Sequence, residues 1–412
     1  MRAMLVALVG LLSLGEALHA KPAVEAKERP GYSWHEFSLD IDGVSGIPFY
    51  ARLPDSGDDG VAYIQNAQEE TPVEFARDGD SITLRFPHYD STIALEEAGL
   101  GKLEGAWTRM RPSGVTTMAV RGQRLDTAPS LYSEDAEDEP ERARYAMSFE
   151  KSGEAVGLID VHHMPGVEGA TGTILTPTGD YRFLSGAVFQ YGRKLGLSVF
   201  DGAHAFLFIA DIDPDTGDLA NGHFYSGAHW HETFTARRLA EGEEFELPDP
   251  FSEVSLVPGE TRLGLPRLSE PPYAGNPTIV QIMGTWCPNC HDEAPALVDL
   301  YEEHHDDGLQ ILSLCYEYTD DAERSRRQIE RFKERHGATW EFALAGTSDK
   351  SKAATTLPAL DAIKAYPTTI WINPDGTVRA IHSGFSGPAT GERHEETLRA
   401  FERLTREIVE AR

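Results

Sequence analysis

Short apolar-rich runs with aromatic and branched residues recur over residues 31–245, separated by turn-forming residues. Two examples are Ser81-Ile-Thr-Leu-Arg-Phe and Ala205-Phe-Leu-Phe-Ile-Ala. Short segments rich in branched and aromatic residues, spaced in this way, are typical of an antiparallel sandwich or barrel. The pattern therefore predicts a β-rich N-terminal domain over residues 31–245, but it does not indicate what this domain does.

The pattern changes after a proline-rich stretch at residues 246–277. Fully apolar runs then alternate with amphipathic segments, and Asn373-Pro-Asp-Gly between two apolar runs predicts a hairpin. Alternation of strands and helices that ends in a hairpin and a helix predicts an α/β fold around a mixed sheet, over residues 246–412. Three of the predicted helices span residues 321–336, 350–365 and 392–411.

The first twenty residues have the features of an export signal. Arg2 precedes an apolar run at residues 3–14, and Leu18-His19-Ala20 ends in a small residue where cleavage could occur. The run is shorter than the roughly 20 residues that span a bilayer. We therefore expect residues 1–20 to be a signal peptide, and the rest of the chain to be a periplasmic or secreted protein without a membrane span.

Acidic residues outnumber basic residues by 67 to 37, which gives a formal net charge of −30. An acidic surface repels the phosphates of nucleic acids and of anionic lipids. The charge therefore argues against nucleic-acid binding, and solubility is sufficient to explain it.

Two of the three cysteines lie in Trp286-Cys287-Pro288-Asn289-Cys290, directly after an apolar run. A lone Cys-x-x-Cys pair in an exported protein indicates redox chemistry. The pair falls where a strand passes into a helix, and a helix N-terminus stabilises a thiolate. Cys287 is then the attacking sulfur and Cys290 the resolving sulfur. Half of a zinc site and a structural disulfide are the alternatives; the first lacks a second ligand pair, and the second would close too short a ring to add much stability.

Three further segments complete a pattern with this pair: Glu293-Ala-Pro295, Ala365-Tyr-Pro-Thr-Thr369 and Gly384-Phe-Ser-Gly-Pro. Together they resemble the exported TlpA/ResA-like thiol-disulfide reductases of the thioredoxin superfamily. The resemblance covers residues 277–412 and implies a thioredoxin-like fold. It also implies a redox-active Cys287–Cys290 disulfide with no other cofactor, and protein thiols or disulfides as partners together with an upstream thiol donor.

The resemblance also assigns roles to single residues. It implies a cis peptide before Pro367, next to the active sulfur, with neighbouring backbone that pairs with a substrate. Glu293 would exchange a proton with the resolving thiol, although a solvated helix residue is the alternative. Trp286 would cover the sulfurs, unless it is a core residue. The predicted catalytic residues are Cys287, Cys290, Glu293 and Pro367, and the predicted substrate-binding residues are Trp286, Tyr366 and Thr368.

Other candidate residues are weaker. Cys315 lies in an apolar strand and is expected to be buried and unreactive. His291 follows the resolving cysteine and could tune its potential. His229 and His231 lie two residues apart on a predicted strand, but such histidines are usually surface or packing residues, so we predict no metal site.

The sequence leaves two other functions open. A redoxin-type peroxide reductase would carry Pro-x-x-x-Thr-x-x-Cys, whereas residues 280–287 lack the proline and place Thr285 one position too close to the cysteine. A non-enzymatic envelope protein that binds or senses a partner is the second alternative. The predicted function is exported thiol-disulfide exchange, most simply the reduction of disulfides in envelope proteins.

Overall fold

The computed structural model describes residues 29–41, 44–129, 140–164 and 167–411. The predicted signal peptide at residues 1–20 lies outside these ranges. Within them, no helix is both long enough and apolar enough to cross a membrane.

The first eight strands form a closed antiparallel barrel, because β1 pairs with both β2 and β8. Alternate residues point into it: in β5, Ile82, Leu84 and Phe86 are buried while Arg85 is exposed. A barrel of eight strands has an interior that side chains can fill, and apolar side chains form this core. The strands are β1 Tyr32–Ile41, β2 Val44–Pro54, β3 Asp59–Asn66, β4 Glu69–Asp78, β5 Ser81–Phe86, β6 Ser91–Gly99, β7 Lys102–Arg111 and β8 Gly114–Arg124.

The next nine strands form a second antiparallel sheet, in which β10 pairs with both β9 and β11, so that the sheet returns on itself. Its core contains stacked phenylalanines, such as Phe208 and Phe224 with centroids 4.4 Å apart. The two sheets are joined where the Asn66 side chain exchanges hydrogen bonds of 2.9 and 3.1 Å with the Phe200 backbone. The predicted β-rich region is thus barrel-like. The strands are β9 Glu141–Phe149, β10 Gly153–Met164, β11 Val167–Thr176, β12 Gly179–Asp180, β13 Leu184–Phe189, β14 Lys194–Phe200, β15 Ala205–Ile212, β16 Leu219–Ser226 and β17 Trp230–Arg238.

The C-terminal part is a five-stranded mixed sheet with helices, as predicted. Its strand order is β20-β19-β18-β21-β22. Strands β20, β19 and β18 are parallel to one another, whereas β21 runs antiparallel to both of its neighbours, β18 and β22. The central strand β18 is buried along its whole length. The strands are β18 Thr278–Met283, β19 Gln310–Glu317, β20 Glu341–Thr347, β21 Thr368–Ile372 and β22 Val378–Ser383, and the helices are α1 Pro288–His304, α2 Ala322–His336, α3 Lys350–Thr356 and α4 Glu392–Glu410.

One helix is shorter than the sequence predicts. The expected helix over residues 350–365 ends at Thr356, the last residue of α3. Leu357 leaves the helical region, with φ −129° and ψ 62°, directly before Pro358. A proline disfavours the helical conformation of the residue before it, which explains the early end. Leu360 then forms an isolated bridge with Leu256.

Candidate active site

The cysteine pair lies where the buried strand β18 passes into α1. Cys287 is the N-cap residue of α1, and Pro288 occupies the first turn. The N–H groups of Cys290 and His291 donate to the Cys287 carbonyl at 3.0 and 3.2 Å. Cys287 therefore sits at the helix end whose partial positive charge attracts an anion.

The two sulfurs differ in access to solvent. Cys287 is 7% exposed, whereas Cys290 is 0% exposed. Burial raises the pKa of the Cys290 thiol well above its ordinary value, and its hydrogen bond with Cys287 and the charge of Cys287 raise it further. Cys287 alone is therefore placed to meet a partner, while Cys290 lies shielded behind it.

The Tyr366–Pro367 peptide is cis and lies beside the outer sulfur. The Cys287 thiol contacts the Tyr366 carbonyl at 3.2 Å. The Thr368 side chain faces the interior, where it donates to the Ala365 carbonyl at 2.9 Å, and the residue is fully buried. Thr368 therefore supports this loop from within, and its contact with a substrate stays a prediction.

Trp286 is held at the edge of the site. Its indole N–H donates to the Tyr316 carbonyl at 2.8 Å, and its ring stacks on Tyr318 at 4.6 Å. It also meets the Tyr366 ring edge-on at 5.4 Å. The side chain is only partly buried, so part of Trp286 remains accessible next to Cys287 in the sequence.

Glu293 is fully buried, which excludes the solvated alternative. Its carboxyl group accepts a hydrogen bond from the Gln281 amide at 2.6 Å and another from the Thr369 hydroxyl. Burial raises the pKa of Glu293 to about 7, although both hydrogen bonds lower it. The charge of Glu293 in turn contributes to raising the pKa of Cys290. A carboxyl group that titrates near neutrality therefore lies within electrostatic reach of the buried thiol.

His291 is also buried, and it packs against the first barrel. Burial lowers the pKa of His291 well below its ordinary value, so the ring is neutral. Its Nε2 lies 2.9 Å from the Thr285 carbonyl and must carry the hydrogen, which leaves Nδ1 to accept from His336 Nε2 at 2.7 Å. The ring also meets Tyr89, from the barrel, edge-on at 5.2 Å.

The second sheet touches the other side of α1. The guanidinium of Arg182 pairs with Asp292, two residues after Cys290, and with Glu69 at 2.7 Å. Gly179 approaches Asn289 so closely that an added Cβ would lie 2.6 Å from the Asn289 amide nitrogen. The first barrel and the second sheet therefore both contact the segment that carries the two cysteines.

These contacts and one nearby cation were not predicted from the sequence. Lys350 donates to the Lys364 carbonyl, and burial lowers its pKa while the charge of Cys287 raises it. The partners lie far apart in the sequence, and single charged residues carry no periodic signal.

Cys315 is buried in β19, and burial raises the pKa of its thiol well above the ordinary value. This placement agrees with an unreactive core residue. Among the described residues, the group that could hold a metal ion is Glu303, His304 and Glu402. It lies at the opposite end of α1 from the cysteines.

Known proteins are similar to the C-terminal part of the chain. Residues 261–381 match the model of the AhpC/TSA family. The thiol-disulfide oxidoreductase ResA of Halalkalibacterium halodurans is 30% identical over 112 residues, which cover 27% of this chain and 55% of the relative. ResA of Geobacillus kaustophilus is 28% identical over 133 residues, 32% of this chain and 68% of the relative.

The chain thus spans about half the length of the first of these relatives. A crystal structure of a thiol:disulfide interchange protein from Chlorobium tepidum is 17% identical and covers 33% of this chain and 81% of its own, with a TM-score of 0.25. The family match and the ResA relatives agree with the resemblance drawn from the Cys-Pro-Asn-Cys and Tyr-Pro-Thr segments. The C-terminal region is therefore similar to the ResA/TlpA-like proteins of the thioredoxin superfamily.

Proposed function

We propose that this chain is a thiol-disulfide oxidoreductase that uses Cys287 and Cys290 as its redox-active pair. The observation that carries the proposal is the asymmetry of the two sulfurs at the N-terminus of α1. Cys287 is 7% exposed and lies beside a backbone carbonyl, whereas Cys290 is fully buried with its thiol form favoured. An outer nucleophile backed by a shielded resolving thiol is the arrangement that disulfide exchange requires.

In the reducing direction, the reaction has two steps. The Cys287 thiolate attacks one sulfur of a substrate disulfide, so that a mixed disulfide forms and the other substrate sulfur leaves as a thiolate. The Cys290 thiol then loses its proton and attacks the Cys287 sulfur, which releases the second substrate thiolate and forms the Cys287–Cys290 disulfide. Two electrons pass from the chain to the substrate, and an upstream thiol donor returns them.

Glu293 is the group that we assign to the proton of Cys290. The second step needs a base, because Cys290 favours its protonated form. Glu293 titrates at about 7, so that near neutral pH part of the population is ionised and able to take the proton. No cofactor beyond the two cysteines enters this scheme.

The loop around cis-Pro367 and the partly exposed side chain of Trp286 are the proposed contact surface for a protein substrate. Tyr366 presents its backbone carbonyl to Cys287, so a substrate segment beside Tyr366 and Thr368 would lie close to the attacking sulfur. We further propose that the predicted signal peptide sends the chain to the bacterial envelope, where its substrates would be other exported proteins.

Cysteine variants test this function. Reduction of insulin disulfides with dithiothreitol as donor should fall to the uncatalysed rate in Cys287→Ser. Cys290→Ser should instead accumulate a mixed disulfide, visible as a mass shift, because the resolving step is missing. Cys315→Ala is the matched control and should keep its activity. Turnover that persists in Cys287→Ser would show that Cys287 is not the attacking sulfur, and a parent protein whose cysteine pair does not cycle would leave the binding or sensor function as the better account.

The reduction potential of the pair tests the direction. A value near or below about −250 mV, close to that of thioredoxin, supports a reductase, and a value near about −120 mV identifies an oxidant that donates disulfides. The same protein should show no turnover of hydrogen peroxide with a thiol donor. Peroxide consumption that depends on Cys287 would favour the redoxin-type alternative instead.

A further inference from the structure

The far end of α1 brings together an imidazole and two carboxylates that the redox chemistry does not use. His304 lies in the last turn of α1, and Glu303 precedes it. Glu402 faces them from α4. One ligand atom from each of the three side chains lies within 4.8 Å of the other two.

His304 is the informative member of this group. The residue is 7% exposed, and its Nε2 is buried without a hydrogen-bond partner. A buried polar nitrogen without a partner is costly, and native structures contain few of them. The Oε1 atom of Glu402 lies 3.7 Å from this nitrogen, which is too far for a hydrogen bond. The nitrogen is therefore aimed at the carboxylate with a gap between them.

The gap has about the right size for a metal ion. Zinc binds imidazole nitrogen and carboxylate oxygen at about 2.0–2.2 Å, so two of its tetrahedral ligands lie about 3.3 Å apart. The 3.7 Å between His304 Nε2 and Glu402 Oε1 is close to this separation. Glu303 is exposed, so its side chain can rotate to become the third ligand, and water can complete the shell.

One cation already contacts the group. Arg406 pairs with Glu402 one helical turn along α4. The Arg406 side chain is 56% exposed, and an exposed pair at this spacing contributes little stability. A divalent ion bound on the inner side of Glu402 can therefore displace Arg406 towards solvent at small cost.

We propose that Glu303, His304 and Glu402 bind a divalent transition-metal ion of the zinc class. The ion would tie the end of α1 to α4, about 25 Å along the helix from the cysteines, given 17 residues at a rise of about 1.5 Å. The site is separate from the redox centre and goes beyond the function proposed above. The prediction of no metal site from the sequence rested on the cysteine pair and on His229 and His231. The present group gave no signal there, since Glu402 is distant in the chain and a Glu-His pair carries no motif.

The test is a zinc titration by calorimetry on the full chain. The Cys287–Cys290 pair is first oxidised, because free thiols also bind zinc. All proteins carry His231→Gln, because His231 and His223 form an exposed pair with ring nitrogens 3.0 Å apart that can also bind zinc. The expected result is one zinc ion per chain.

Two variants then remove single ligands without emptying the core. Glu402→Gln and Glu303→Gln should each weaken zinc binding at least about tenfold, since even an outer-sphere change costs that much at metal sites. Glu302→Gln, the exposed neighbour on the same helix, is the matched control and should bind like the parent. Cobalt in place of zinc should give visible d–d bands without a thiolate charge-transfer band.

Three results would overturn the proposal. The first is an absence of zinc binding once His231 is replaced. The second is equal affinity in the parent and in Glu402→Gln. The third is a thiolate band with cobalt in the oxidised protein, which would place the ion at cysteine. In each of these cases His304 and Glu402 are only neighbouring side chains and not metal ligands.

Discussion

At the scale of single residues, Glu293 should control how the reaction rate depends on pH. Its pKa of about 7 means that the ionised carboxylate, which accepts the proton of Cys290, becomes available as the pH rises through 7. In Glu293→Gln we expect the resolving step to slow by about 10²-fold, the lower end of typical general-base effects. The rise in rate around pH 7 should disappear. Stopped-flow measurement of mixed-disulfide resolution between pH 5.5 and 8.5 tests both effects.

The pH dependence of the stability of Glu293→Gln should show whether Glu293 acts in proton transfer or only in packing. The pKa of Glu293 is raised on folding, so its stabilising contribution is present below its unfolded pKa and is lost as the pH rises towards 7. At pH 8 the free energy of unfolding of Glu293→Gln should therefore equal or exceed that of the parent, whereas at acid pH the parent should be relatively more stable. A variant that is slow only because it is unstable at every pH would contradict the assigned role. Glu302→Gln, exposed on the same helix, controls for loss of charge.

At the scale of elements, the position of α1 depends on a buried ion-pair group centred on Arg182. This residue is 8% exposed and faces Asp292, Glu69 and Asp201. Arg182→Gln would leave these carboxylates buried without a cation, which typically costs about 3–5 kcal/mol. We expect a corresponding fall in the unfolding midpoint, measured by thermal denaturation with tryptophan fluorescence.

The partner of Arg182 on α1 provides the decisive comparison. Asp292→Asn should recover part of the loss when combined with Arg182→Gln, because it removes one of the unpaired charges. Arg121→Gln breaks an exposed pair with Asp40, where the arginine side chain is 69% exposed, and should change stability by about 0–1 kcal/mol. Additive effects of Arg182→Gln and Asp292→Asn would show that the ion pair does not couple the second sheet to α1.

Elements built from local signals could be predicted from the sequence, and elements that depend on distant pairing could not. The buried run of β18, the cysteine pair at the start of α1 and the hairpin around Asn373 follow from local periodicity and turn chemistry. The closure of the first barrel depends on pairing of β1 with β8, which no local pattern encodes. The contact of Arg182 with Asp292 likewise joins residues 110 positions apart.

At the scale of the whole molecule, the N-terminal sheets hold the redox region from two sides. Arg324 on α2 bonds Asp90 of the first barrel at 2.7 Å, and Gln328 bonds the Pro87 carbonyl at 3.1 Å. On the other side, the amide of Gly387 bonds Asp180 of the second sheet at 2.7 Å. These contacts make the N-terminal region part of the environment of the cysteines.

Acid should weaken the contact with the first barrel. His88 from the barrel and His336 from α2 have pKa values lowered to about 4, mainly by burial and then by arginines such as Arg335, and His291 between them is also kept neutral. Because folding lowers these pKa values, their contribution is present above the unfolded value of about 6.5 and is lost as the pH falls towards 4. The buried carboxyl of Asp292, with a pKa raised to about 7, acts in the opposite direction.

The effect of the histidines can be separated from that of Asp292 by comparing the melting temperatures of a histidine variant and the parent. We expect the melting temperature of His336→Gln to depend less on pH than that of the parent between pH 4.5 and 6.5, because one titrating ring at the contact is gone and glutamine can still donate to His291. Above pH 7 the two curves should run parallel, since His336 is neutral there in both folded and unfolded chains. His163→Gln, which replaces a histidine with a 54% exposed side chain on β10, is the control and should follow the parent throughout.

If the difference in melting temperature between His336→Gln and the parent were constant from pH 4.5 to 8, the histidines would serve only for packing. A difference that grows on acidification would instead show that protonation loosens the barrel from the helices beside the redox pair.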